Sequence, residues 1–434
     1  MSMLRRHWPW LLAFIVLLAL PFLFYDWSKG RHSGFALILL SEIGLMAIFA
    51  LSYNMLMGQA GLLSFGHAVL FGLGAYCAAH VVNLVKAGTI WVPTELIPLA
   101  GGLGGMFFGY VLGWLVTKQR ATAFAMITMG LGELVSAAAL MFLAFFGGEG
   151  GISVDRVMHA SLVGASYSSS WQVYCLVLVW AFIAAILMKL QTQTALGSIA
   201  NATRDNFERA QFVGYDPRMV RLMQFTLSGF FAGIGGGLYV LVYEIVTFDT
   251  VSAAKSANAL LAVYIGGAGG FFGPILGTIV VVLLQSGISL LSNAWLLYVG
   301  VLFIVMVMYA PGGLIGLIYM HTPIWRAGRL RELAVPYARA FPAALLTMLG
   351  FVLLVELASF TTIGAAQGKK FKIGGNLIDT TAPLPWVIAL AALILGGLWL
   401  RREAHGFRLR WDEVMEGTKR REVVEATKAQ EVLA

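Results

Sequence analysis

The sequence predicts an all-α polytopic membrane protein of about 11–12 transmembrane segments, several of them broken or re-entrant. Three observations carry that prediction. Of 434 residues, 59% are hydrophobic and only 12% are charged, with a mean hydropathy of +0.83. Soluble domains carry about 25% charged residues. Glycine numbers 50, where average usage gives roughly 30, and glycine in membrane helices permits close backbone approach and breaks. Third, the polar residues are segregated into short stretches between apolar runs of spanning length.

Taken in order, the first apolar run is Pro9 to Tyr25, after Arg5 and Arg6. No small-x-small cleavage site follows it, so an uncleaved helix is expected. Further spans are expected at Phe35–Met57, Gly66–Val85, Thr94–Val116, Thr122–Phe146, Trp171–Met188 and Leu222–Glu244. A broken pair, Ala257–Phe272 and Pro274–Leu291, precedes Trp295–Tyr309, Phe341–Ile363 and Pro385–Leu400. Whether Ala257–Phe272 crosses or dips back decides between 11 and about 12 crossings.

The cations set the expected orientation. With the N-terminus inside and about 12 crossings, 21 of the 29 Lys and Arg residues fall inside. These include Arg5, Arg6, Lys118, Arg120 and the five from Lys189 to Arg221. Every cation falls in a loop or at a span end, with Lys369, Lys370 and Lys372 among those outside. Both termini are therefore expected to be cytoplasmic. This distribution accounts for the net charge of +8 without a nucleic-acid partner. Cys77 and Cys175 lie far apart in apolar runs and read as core residues, with no metal-ligand spacing.

The longest strongly polar run before Met320 is Thr194 to Arg221. Leu196, Ile199, Thr203, Phe207, Ala210 and Gly214 recur at steps of three and four, the spacing of one helical face. Arg204, Asp205, Glu208 and Arg209 point elsewhere. An amphipathic helix held at the membrane surface by spans on both sides suits contact with another protein.

Two glycine-rich interruptions lack any charge, GQAGLLSFGH at 58–67 and GGAGGFFGP at 266–274. Irregular backbone at membrane depth is tolerated where protein buries it or a cavity receives it, and such breaks line substrate sites in transporters. Asn54, Gln59, Ser64, His67, Gly266 and Gly270 are thus the candidate pathway residues. Tight helix packing by glycine is the competing reading. The ionisable residues inside spans are Glu42, Glu133 and Glu356, with Glu244 near an outer end; none has an intramembrane Lys or Arg to pair with by this reading. His67 and His80 are either packing residues with a hydrogen bond or titrating ones.

Motifs of soluble enzymes are absent. There is no G-x-x-x-x-G-K-[ST] loop, no H-E-x-x-H and no G-x-S-x-G at a strand-to-helix turn. No catalytic residue, cofactor or metal is expected, and the energy for transport must come from an ion gradient or another subunit.

Three blocks nevertheless resemble a known family. They are LSYNMLMGQAGLLSFGHA at 51–68 with FGLGAY after it, FTLSGFFAGIGGGLY at 225–239, and Gly266 to Gly277 with APGGLIG at 310–316. Together they resemble the permease subunits of branched-chain amino acid ABC importers, most closely the M-type. The resemblance covers roughly residues 34 to 317. It implies an ABC importer permease fold, a second homologous permease subunit, two ATPase subunits and a periplasmic substrate-binding protein, in the bacterial inner membrane and its lipid. It also implies that the loop 191–221 is the coupling element docking into an ATPase groove. Glu208, Ala210 and Gly214 match the family's acidic–alanine–glycine motif, while Arg209 replaces a usually small residue. Phe207 is the expected anchor of a helix-in-groove contact.

The expected organisation is an N-terminal segment with the first helix (1–33), a permease core (34–320), an added hairpin of two spans (321–400) and a charged tail (401–434). The tail mixes Arg402, Glu403, Arg408, Arg410, Asp412, Glu413 and Glu416 and reads as a solvated cytoplasmic helix. The resemblance leaves the substrate open among branched-chain amino acids, urea, short amides and aromatic acids. The competing function is a self-contained ion-coupled secondary transporter of small organic solutes, using Glu42, Glu133 or His67.

Overall fold

In the computed structural model, glycines bring the central helices together. The structure describes residues 2–26, 31–119, 121–157, 161–290, 292–362, 370–373, 376–380 and 382–433. Arg120 and Lys369 lie outside the described residues. The helices run in chain order: α1 (Ser2–Ala19), α2 (Gly34–Asn54), α3 (Ala68–Lys86), α4 (Ile97–Val116), α5 (Ala121–Met141), α6 (Leu143–Phe146) and α7 (Ser170–Thr192). Then come α8 (Ala195–Asp205), α9 (Phe207–Phe212), α10 (Pro217–Tyr243), α11 (Ala253–Gly266), α12 (Gly273–Val282) and α13 (Trp295–Tyr309). The last are α14 (Gly313–Arg326), α15 (Ala334–Thr362) and α16 (Pro383–Leu433).

Among the described residues, eight helices are long and apolar enough to cross a membrane, or nine if α13 and α14, bent by 43°, count as one span. Shorter apolar helices lie at Leu12–Phe24 and Gly273–Ile288. The helical class is as expected. The few strands are two-stranded ribbons, one of which pairs Ile152–Ser153 with Ile245–Val246.

Helix α10 is the most buried of the long helices. Its Gly229 and Gly233 face Gly101, Gly105 and Gly109 of α4 so closely that a Cβ on Gly229 would stand 2.5 Å from the Gly105 carbonyl. Small residues at such a seam let dispersion act between whole backbones, where lipid gives apolar side chains no reason to leave it. Around the seam lies a core containing Phe49, Tyr53, Phe71 and Tyr76, each fully buried.

The chain divides into two units. The first holds residues Met1–Ser286 and Leu302–Ile315, and the second Gly287–Val301 and Gly316–Ala434. In the second unit α15 packs along α16, with Gly350 against Ala392 and Leu393 and Gly396 against Thr347. The charged tail is not a separate element, because α16 continues unbroken from Pro383 to Leu433. Nor is that stretch wholly solvated. Val414 is buried with Ile324 and Leu333, flanked by Trp411 and Met415, and Arg329 Nη1 donates to the Val414 carbonyl at 3.0 Å. Glu356 accepts the Tyr298 hydroxyl at 2.6 Å, so this intramembrane acid is held in a hydrogen bond within the second unit.

Candidate functional site

The site is built where the polar loop meets the first glycine-rich break. Helix α2 continues through a π-helical turn, Met55–Gln59, and Gly61, at φ +67°, takes the left-handed conformation that ends it. The chain then turns back non-helically through 62–67 before α3 begins. His67 lies level with Ser52, whose Oγ is 3.0 Å from His67 Nε2. Seven residues of α2 separate Ser52 from Gln59, about 10 Å along the axis. The break therefore carries irregular backbone well into the bundle, where protein covers it. Phe65 N donates to Thr128 Oγ1 at 3.2 Å, and Ala68 N, in the first turn of α3, donates to Ser256 Oγ of α11 at 2.9 Å.

All four polar candidates of this break are buried: Asn54, Gln59, Ser64 and His67. Asn54 Oδ1, Gln59 Oε1, Ser64 Oγ and His67 Nδ1 have no hydrogen-bond partner among the described residues. Both amide atoms of Gln224 on α10 share that condition. Buried polar atoms are ordinarily satisfied, so these atoms are exceptions concentrated around the first break. His67 also stacks on Phe49, with ring centroids 5.3 Å apart. His80 is held by the Phe145 carbonyl at 2.8 Å.

The second break comes up to the first. A Cβ on Gly58 would stand 2.7 Å from the Ala268 carbonyl. Here the glycines have a packing role. Gly266 lies against Gly273, and Gly277 against Gly266 and Ala262. Gly270 is buried, and its carbonyl accepts Gly273 N at 3.2 Å. Helix α11 is 14 residues long, shorter than the roughly 20 residues a span requires.

The polar loop forms two short helices rather than one. Asn206 takes an extended conformation at φ −153° and caps α9, its side chain accepting from Arg209 N at 2.9 Å. An asparagine that bonds the backbone of the next turn competes with helix continuation, and so splits the amphipathic run. Gly197, Ala200, Thr203 and Ala210 are buried, and Glu208 is exposed. Gly214, at φ +94°, closes α9, with Tyr215 N donating to the Ala210 carbonyl at 3.2 Å.

Two placements differ from the pattern of the sequence. Phe207 is only partly exposed, and the buried Arg221 guanidinium lies 5.4 Å from its ring centroid. The apolar groups that project outward are Phe212, 90% exposed, and Val213, 69% exposed. Arg204, off the apolar face, reaches the first break: its Nη1 donates to the Gly58 carbonyl, and its side chain packs on Gly61.

Among the acids, Glu133 is exposed on α5. Glu244 sits 3.8 Å from Arg156 Nε, so it has a cationic partner that the linear pattern hid. Glu42 accepts Ser286 Oγ at 3.1 Å. Lys255, one of the cations assigned to a loop, is partly buried, and its Nζ lies over the rings of Phe71 (5.6 Å) and Tyr239 (5.1 Å). The signal that could have found it is its position in the first turn of α11, flanked by the polar cap Ser252 and by an apolar run.

Comparison with known proteins accords with this architecture. The family model described as branched-chain amino acid transport system / permease component matches residues 35–311. The high-affinity branched-chain amino acid transport system permease protein LivM of Escherichia coli is 27% identical over 291 residues, covering 62% of this chain and 67% of the relative. The probable LivM permease of Methanocaldococcus jannaschii is 24% identical over 323 residues, covering 64% and 92%. The fructose import permease protein FruF of Bifidobacterium longum is 27% identical over 339 residues, covering 71% and 89%. No solved structure matches the chain. With its family model spanning most of the first unit, the chain belongs to the permease-component family of branched-chain amino acid transport systems.

Proposed function

We propose that the chain is the membrane-spanning subunit of an ATP-driven importer that moves branched-chain amino acids or a related small amphipathic solute. In this reading a binding protein delivers the solute, a second homologous permease completes the path, and two ATPase subunits dock on α8 and α9. Both termini face the cytoplasm, as the distribution of cations supports. The observation that carries the reading is the double engagement of one loop. It presents Phe212 and Val213 outward while its Arg204 holds the Gly58 carbonyl at the break. A partner that moves this loop pulls on the polar lining at Asn54, Gln59, Ser64 and His67, and on the second break at Gly266 and Gly270 beside it. Glu208, Ala210 and Gly214 set the shape of the docking face, Ala210 by packing inward and Gly214 by ending α9.

Relatives named for amino-acid and for fructose import both align with the chain, so the family alone leaves the solute class open. The test is reconstitution in vesicles with ATPase subunits and a second permease of the same family. Solute uptake that needs ATP and all subunits is expected. Uptake by the chain alone under a proton or sodium gradient would instead establish an ion-coupled secondary transporter.

A further inference from the structure

We propose that the first unit holds one acyl chain of an anionic phospholipid in an apolar cavity between α1, α2, α7 and α12, with the headgroup met by Lys189 at the mouth. This goes beyond the importer reading and holds whichever solute is carried.

The cavity has a volume of about 360 Å³ and is long and narrow. Its lining runs from Leu40 to Leu51 along α2 and from Tyr174 to Ala185 along α7. Such a stretch of helix rises about 16 Å, so the mean cross-section is on the order of 20 Å², the girth of a single hydrocarbon chain. One end is closed, because the Tyr174 hydroxyl donates to the Leu17 carbonyl at 2.6 Å and ties α7 to α1. At the other end the Trp10 ring centroid lies 5.5 Å from that of Phe272 and 6.3 Å from that of Phe182. Phe271 is next, 5.4 Å from Phe272, and Lys189 Nζ lies 5.0 Å from its ring. Lys189 stands one turn beyond Ala185 on the same face of α7. It is half-buried, and among the described residues no carboxylate lies within 4.0 Å of it.

The lining decides what can enter. Its side chains are apolar except for the tethered Tyr174 hydroxyl and the Trp10 indole N–H, so water finds no set of partners there. Left empty, the walls forfeit the dispersion contacts that a close-packed interior makes. A sugar or an amino acid would lose its hydration without gaining hydrogen bonds in return. Helices α2 and α7 are long and apolar enough to cross a membrane, so the molecules that surround this cavity are lipids. A slot closed at its far end, with aromatic rings and a cation at its mouth, matches an amphiphile with one anionic end. The chain lies inside, the rings sit at the level of the interface, and the negative headgroup supplies Lys189 with its counter-charge. Phe272 belongs to the second glycine-rich break, so the bound chain bears directly on that segment.

The test uses the full chain in phosphatidylcholine nanodiscs doped with phosphatidylglycerol that carries a photoactivatable diazirine on one acyl chain. Labelled residues are read by mass spectrometry of the digested protein. Label is expected on the cavity lining, Ala47 and Ala181 included, at least tenfold above that on Met126, an exposed residue of α5. Ala181→Trp fills the cavity and should cut the lining label at least tenfold while leaving Met126 labelled as before. Ala47→Leu is the milder filling and should cut it several-fold with the melting temperature unchanged. Lys189→Gln should lower the lining label from phosphatidylglycerol several-fold and leave unchanged the weaker label from phosphatidylcholine carrying the same diazirine chain. The proposal is overturned if the lining is labelled no more than Met126, or if Ala47→Leu folds and labels like the wild type. It is equally overturned if Lys189→Gln changes neither probe or lowers both alike.

Discussion

Arg204 of the polar loop donates to the carbonyl of Gly58 at the first glycine-rich break, and so ties the outward-facing helices α8 and α9 to the irregular backbone inside the bundle. The same arginine also pairs with its neighbour Asp205, whose carboxylate lies 3.0 Å from Arg204 Nη2. The planar guanidinium fork makes both contacts from separate nitrogens in a fixed geometry, which a lysine ammonium, a single point charge, does not reproduce. Arg204→Lys is expected to lower ATP-driven uptake several-fold, and Arg204→Ala to lower it further, with the ATPase subunits still bound. Uptake and co-purification measured on the same preparation check this; unchanged uptake in Arg204→Ala would discount the linkage.

The outward groups of the loop make a separate prediction. Phe212→Asp places a charge where an apolar knob is 90% exposed. It should reduce co-purification of the ATPase subunits at least tenfold without lowering the melting temperature of the chain. Apolar anchors dominate such contacts and flanking charges tune orientation. The Phe207 and Glu208 double substitution should abolish coupled uptake as well, through a different route, because Phe207 is also packed on the Arg221 guanidinium. Normal uptake by that double variant would count against docking at α9.

At the seam between α4 and α10, Gly105→Leu is expected to be the most damaging single change in the first unit. A Cβ at Gly105 already meets the Gly229 carbonyl and would stand 2.9 Å from the Gly233 Cα. Backbone cannot step aside as a flexible side chain does. Overpacking costs about 1–3 kcal/mol and more where rigid groups collide. Thermal unfolding in detergent measures it, and Gly130→Leu, at a position with open space around the added carbon, is the control that should change little.

His67 combines a hydrogen bond to Ser52 with stacking on Phe49. Truncation to alanine leaves a cavity and strands the Ser52 hydroxyl on that side, at a cost of about 3 kcal/mol. His67→Phe should recover most of the packing and none of the polarity. If His67 lines the path, His67→Phe restores stability while uptake stays impaired; full recovery of uptake assigns the residue to packing alone.

Much of this was legible before the fold was known. The apolar runs at Phe35–Met57, Thr94–Val116 and Leu222–Glu244 correspond to α2, α4 and α10, because a span of hydrocarbon length is a property of a single segment. The polar loop and both breaks also stood out, since charge and glycine runs are local signals. Their mutual placement was not. The sequence pattern could not tell that Asn206 would cap a new helix, that Arg204 would turn inward to Gly58, or that Phe212 would be the exposed knob in place of Phe207. Each depends on which face the rest of the bundle covers.

Lys255 shows the limit most clearly. On composition alone a lysine beside Ser252 and Ser256 belongs to a loop, and Glu42 belongs to a span with no cation near it. The sequence by itself determined the membrane class, the family and the segments where chemistry is concentrated, because those follow from hydrophobicity and short motifs along the chain. Only the tertiary structure decided that α11 is a short helix entering the bundle beside α3, which brings Lys255 over the rings of Phe71 and Tyr239. Charge compensation is set by distance in space, and no period or spacing along one segment encodes the distance to another.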